Sequence, residues 1–490
     1  MTQIKSEILY YEYAMITFRR SVLTLVLILL FGLGACGGDN NGVPILPSTD
    51  NGGTFDPGTT PDFGPGVDVG PGNYPALPTS LPAVTHAGVV YVSHYHTSDL
   101  RIVRIDGVTP VSLPSYELGV PGDDLALDPD NDRLFVAKFA SRSVEVLQLS
   151  RPSSPTAPVS PPVPLANILL AEIPLLVRHD RALNRLYVFM APDTGAGELL
   201  STFHLSIYDM SNPSQPVLRN PAPYNVPVTT AVAIDPLRQI LFLYERVSAT
   251  DARYLHVFDL LSPNMAEVPG APLNLNSMFP QTNNTSMSFR GFTVDENQHR
   301  LYGARAQGAN SELVVIDYPG ALPTTTQRYG DLTNMALATV VPDFFNVDLP
   351  PESRPNLLDA FGPHIDRQLG AIFFSASAWA ADVSFKHAIV VPMTSALQPV
   401  PACGDFEGFG CFYRGYANGS VVGYKASDEA ACVDSTHRVY VGSSYDVSNE
   451  VDPGSLHLFR YEPTLSMTPW LEADGGNPTA GGLPINAICH

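Results

Sequence analysis

Two histidines and a carboxylate sit together in the stretch SHYHTSD, as His94, His96 and Asp99. Residues two apart on a strand share a face, so the two imidazoles would converge. With Asp99 nearby they offer nitrogen and oxygen ligands to a divalent cation such as zinc or copper, with a third ligand needed from elsewhere. The plainer alternative is an ordinary exposed strand end. A second candidate is DPDNDR, where Asp128, Asp130 and Asp132 alternate like the opening of a calcium loop. Arg133 and Phe139 stand where such a loop takes glycine and a bidentate acid, which argues against calcium there. A divalent cation is thus the single cofactor the residues suggest. Nothing matches G-x-S-x-G, H-E-x-x-H, a P-loop or G-x-G-x-x-G, and the chain nominates no catalytic residue.

The elements that would carry these groups repeat. LALDPDNDRLFVAKF at 125–139, LVRHDRALNRLYVFM at 176–190 and VAIDPLRQILFLYE at 232–245 share one grammar with FTVDENQHRLYGAR at 292–305, PHIDRQLGAIFFSA at 363–376 and ACVDSTHRVYVGSS at 431–444. Each has a short apolar strand ending in aspartate, a polar turn, and a second strand of alternating aromatic and aliphatic residues. A third strand follows each, as in SVEVLQL or LHVFDL. Short strands of period two, punctuated by turns and repeating every 55 residues or so, are the pattern of four-stranded propeller blades. The recurring aspartates (128, 180, 235, 295, 366 and 434) are expected to cap tight turns by accepting backbone N–H groups.

This grammar resembles the YVTN-type and lactonase-like seven-bladed β-propellers over about residues 85–490. The resemblance implies an all-β, seven-bladed β-propeller. Six units are complete, and residues 87–106 supply only the second and third strands of another. The terminal PINAICH aligns with TTAVAID of the fourth unit and is expected to provide the missing inner strand, closing the ring and removing its exposed edges. A bond between Cys432 and Cys489 would then lock the seam, and Cys403 and Cys411 would clip the loop GDFEGFG. His179, His364 and His490 fall at the ends of first strands, as channel-mouth or turn residues. Enzymes among such propellers hydrolyse sugar lactones or hold quinones for dehydrogenation. They use charged residues converging in the channel, and the sequence alone matches none of these.

Two stretches, 330–358 and 395–425, depart from the repeat. The second is crowded with Phe406, Phe409, Phe412, Tyr413 and Tyr416, either a satellite core or a contact surface.

The N-terminus places the protein outside the cytoplasm. FRRSVLTLVLILLFGLGAC has two arginines, an apolar run too short to span a bilayer, and small residues before Cys36. LGAC resembles the lipobox of bacterial lipoproteins, which implies a signal peptide over 1–35, acylation of Cys36 and a durable membrane anchor. Met15 begins a more ordinary signal than Met1, and Gly37 favours the outer membrane. Residues 36–84 read as the lipidated cysteine and a disordered Gly/Pro/Asp-rich tether, and 85–490 as the propeller. The remaining four cysteines fit an oxidising compartment.

The net charge is −21, and the residues after position 35 carry 24 basic against 46 acidic groups. Such a field repels nucleic acid and anionic lipid, so contact with the membrane is expected through the anchor only. The functional expectation is a monomeric binding or scaffold propeller, with Phe406, Phe409, Tyr413 and Tyr416 meeting a protein or glycan partner. The alternative is an enzyme of the lactonase-like or quinone-dependent kind.

Overall fold

Apolar residues alternating on short strands leave each sheet with two faces to bury, and the computed structural model buries them by stacking sheets side by side. It describes residues 77–490 except 95–96, 193–201, 221, 248–251, 263, 279–286, 308–309, 320–335, 342–356, 381–382, 393–411, 416–423, 447–454, 463–466 and 472–483. The described strands form seven antiparallel sheets, six of four strands and one of five. This is an all-β propeller. The inner strands, in chain order, are Asp124–Asp128, Ile173–Asp180, Thr229–Asp235, Met287–Asp295, Leu357–Asp366, Tyr424–Asp434 and Pro484–Cys489. The last of these pairs antiparallel with Val89–His94, so the chain's two ends share the first sheet.

The hairpin after each inner strand repeats in atomic detail. Asp128, Asp180, Asp235, Asp295 and Asp366 each accept the backbone N–H groups two and three residues on, and Asp434 accepts the one from His437. The fourth residue after each aspartate has positive φ: Asp132, Asn184, Gln239, His299, Gly370 and Arg438. Side-chain capping is therefore the local force that turns the chain. Several caps also reach the next sheet. Tyr318 and Tyr461 donate their hydroxyls to Asp235 and Asp366 at 2.6 and 2.7 Å, and Gln239 donates to Asp180 at 2.8 Å.

The seam follows from side-chain alternation. Two residues before a cap, Ala126 and Ala233 pack toward the following sheet, while one residue before it Ile234 and Val433 pack toward the preceding one. Cys432 is two residues before its cap and Cys489 one residue before His490, so their side chains meet between the seventh and first sheets and are bonded, with Cα atoms 5.6 Å apart. Gly88, at φ +74°, enters the first sheet where a Cβ would collide with Asp106.

Two expectations need correction. Residues 330–358 and 395–425 are not wholly outside the repeat, because Ala336–Val341 and Phe412–Gly415 are the fourth strands of the fifth and sixth sheets. The tether does not run to residue 84 either. Arg181 donates to the Pro82 carbonyl at 3.0 Å, and Val84 is half-buried, so the last residues before the propeller belong to it.

Candidate functional site in the central channel

An inner strand pairs on one side only, so its other edge offers unpaired backbone groups to the channel. Asp124, at the start of its strand, answers one of them: its Oδ2 accepts the Val177 N–H of the third sheet at 2.6 Å. The same oxygen takes Arg178 Nη1 at 2.7 Å, and Oδ1 accepts a short hydrogen bond from Asn486 Nδ2 of the first sheet. One carboxylate thus brackets three consecutive inner strands.

Arg178 is placed unusually. It lies opposite Tyr187, whose ring packs against the fourth sheet, yet its guanidinium meets Asp124 in the second. A side chain can make that crossing only over the channel edge of its own strand. Nη1 also donates to the Val177 carbonyl at 2.7 Å, and the side chain, 35% exposed, has no other partner for Nε and Nη2 among the described residues. His364 occupies the matching position in the sixth sheet, two residues before Asp366 as Arg178 is two before Asp180. Burial pulls its imidazole down to about 4, and the Arg178 charge adds to that. Its Nε2 has no hydrogen-bond partner.

Residues 82–86 run beside the cap-end turns of neighbouring sheets. Pro82 and Thr85 offer their carbonyls to Arg181 and Arg151, beside the turns of the third and second sheets. The His86 N–H donates to Thr436 of the seventh sheet, and its Nδ1 lies 3.1 Å from the Cys489 carbonyl. The same ring feels the charges of Asp434 and Asp366. Five residues therefore form a strap that ties the third, second, first and seventh sheets together in turn.

The groups nominated from sequence are dispersed. His94 is fully buried and held near 4, first by burial and then by the Arg101 charge, while the Asp99 carboxylate is engaged by Arg101. His96 lies outside the described residues, and among those described no three His, Cys, Asp or Glu side chains form a metal-holding group. The DPDNDR carboxylates diverge: Asp130 pairs with Arg181 and Asp132 with Arg151 and His490. His179 is a core residue stacked on Phe135, and His490 sits in the seam. Cys36, Cys403, Cys411, Phe406, Phe409 and Tyr416 lie outside the described residues, and Tyr413 is placed by backbone only, in Phe412–Gly415. Sequence reading passed over Asp124, Arg178 and Asn486. The available signal was the arginine in LVRHD, charged where most other repeats are small or apolar.

No protein-family model matches this chain, and no curated protein does. Solved structures align over most of the chain. Hydrazine synthase of Kuenenia stuttgartiensis does so at 11% identity and TM-score 0.45, covering 74% of this chain and 89% of its own. A Bacteroides fragilis protein provisionally named a 6-phosphogluconolactonase aligns at 11% identity and TM-score 0.44, covering 82% and 97%. A functionally unknown protein of Desulfotomaculum acetoxidans aligns at 10% identity and TM-score 0.44, covering 82% and 99%. Likeness at this level carries no argument about activity.

Proposed function

We propose that this chain is a lipid-anchored envelope protein whose seven-bladed, C-terminally closed propeller is a binding module, with its ligand site in the central channel. The observation that carries the reading is the polar cluster on the inner strands, where one carboxylate, Asp124, accepts hydrogen bonds from Asn486 of the first sheet and from Val177 and Arg178 of the third. In the same reading the anchor is acylated Cys36, and Phe406, Phe409, Tyr413 and Tyr416 form a contact surface for a protein or glycan partner.

A carboxylate, a guanidinium and an imidazole in one channel also favour a second reading, a lactonase-like hydrolase. Against it, Asp124 already accepts three hydrogen bonds and has little capacity left for a substrate proton. Incubation of the purified full chain with a panel of sugar lactones separates the two. Binding with the lactone recovered intact is the expected result, and turnover that vanishes in Arg178→Lys would establish the hydrolase instead.

A further inference from the structure

We infer that the seam is an acid-released latch: the imidazoles of His490 and His86 hold residues 82–88 against the sheets while both are neutral, and their protonation frees that segment. The latch is independent of the channel reading. His490 is wholly buried between the first and second sheets, its Nε2 2.9 Å from Asp132 Oδ1 and its ring 6.1 Å from that of Tyr91. Its Nδ1 has no hydrogen-bond partner. With the Nε2 proton donated to Asp132, a second proton has only Nδ1 to go to, where it would be buried without an acceptor. Asp132 does little to offset that charge, because Arg151 already pairs with the same oxygen at 2.6 Å.

His86 closes the contact from the other side. Its backbone N–H donates to Thr436 Oγ1 at 2.9 Å and its Nδ1 to the Cys489 carbonyl at 3.1 Å, while Arg151 donates to the Thr85 carbonyl at 2.6 Å. Asp434 and Asp366 favour a proton on the His86 ring, and His437 and His490 oppose one. His437 charges first as pH falls, because its 2.8 Å bond to Asp434, with Asp106 nearby, holds its proton above the usual range. That bond lies within one turn of the seventh sheet and survives departure of the strap. The His437 ring also abuts the strap backbone, since a Cβ at Gly88 would meet its Cε1 at 2.9 Å.

Burial holds His86 and His490 below the ordinary imidazole value despite the carboxylates near them. Once freed, both rings titrate near about 6.5, so the released form takes protons that the latched form refuses, and release is favoured as pH falls below that value. Each proton taken up shifts the equilibrium by up to about tenfold per pH unit. The Cys432–Cys489 bond keeps the strand Pro484–Cys489 in place, which confines release to the strap and His490.

Hydrogen exchange on the purified full chain at about pH 7.5, 6.5 and 5.5, corrected for intrinsic rates, tests this at the His86 and Val89 amides, which are bonded across the seam. The hairpin 229–247, which contains no histidine, is the internal reference. Protection at the two seam amides is expected to fall about tenfold or more across that range while the reference keeps its own. His490→Gln retains a donor toward Asp132 but does not titrate, and should remove most of the fall. His86→Asn, which keeps a donor near the Nδ1 position, should remove a smaller part. Seam protection that is flat with pH, or that falls in step with the reference, would overturn the latch, and the parent chain alone decides this. A fall equally steep in both variants would overturn the assignment of the trigger to these histidines. Where His490→Gln already lacks seam protection at neutral pH, His86→Asn decides the trigger.

Discussion

At the scale of single residues the repeated aspartates do two jobs. Asp235 uses Oδ1 to cap its own turn and Oδ2 to take the Tyr318 hydroxyl from the next sheet, and Asp366 does the same with Tyr461. Burial first and the facing carboxylate second push both phenols well above their ordinary range, so they stay neutral donors. Tyr318→Phe and Tyr461→Phe should each lower unfolding stability by about 1–2 kcal/mol, measured by urea titration, and the double variant should show the sum because the pairs share no partner. Histidines set the pH response. His94 and His364 are held near 4 by burial, whereas an unfolded imidazole titrates near 6.5. Below 6.5 the unfolded chain takes protons that the folded one refuses, so stability falls as pH drops from about 6.5 toward 4. His256 runs the other way. Burial opposes its charge, but hydrogen bonds to Glu267 and Glu245 at 2.5 and 2.9 Å outweigh burial and raise it, so its contribution is complete below 6.5 and lost as pH rises through the raised value. Melting curves across pH should show a shallower acid slope in His364→Gln and a shallower loss on the neutral-to-alkaline side in His256→Gln.

At the scale of elements, the inner hairpins were legible and the outer strands were not. Six segments announced a strand, an aspartate and a turn, because capping and burial on both faces constrain nearly every residue there. Outer strands are constrained on one side only. Val163–Leu169 leaves Val163 and Leu169 exposed, and Ala336–Val341 lay hidden in a stretch read as an insertion. The polar cluster was illegible for a further reason: Asp124, Arg178 and Asn486 come from three inner strands, and no local pattern predicts their convergence. The seam lay between these extremes, since PINAICH carried the register of the other inner strands at a distance of almost 400 residues from its partner. Joining Cys432 to Cys489 closes a loop of 57 residues, worth about 4 kcal/mol of chain entropy in the unfolded state. Cys432→Ser with Cys489→Ser should therefore lower the melting temperature by several degrees while the strand still pairs. Deleting residues 484–490 should cost more, because Val89–His94 then loses its partner as well. Equal melting of the deletion and the serine variant would show that pairing adds nothing to closure.

At the scale of the molecule, the proposed anchor at Cys36 and the propeller are expected to act independently. Among the described residues, the segment leading into the first sheet is hydrogen-bonded to the sheets at Pro82, Thr85 and His86. The proposed acyl anchor would stabilise membrane residence by about 0.8 kcal/mol per buried methylene, and the sequence between Cys36 and the propeller is rich in Gly and Pro. Anchoring and folding should consequently separate in one experiment. Cys36→Ala is expected to lose incorporation of a fatty-acid analogue and to leave the membrane fraction, yet to melt at the same temperature as the parent. Equal acyl labelling of parent and variant would refute the anchor. A large fall in melting temperature would refute the division of labour instead, since it would mean that the strap depends on what precedes it.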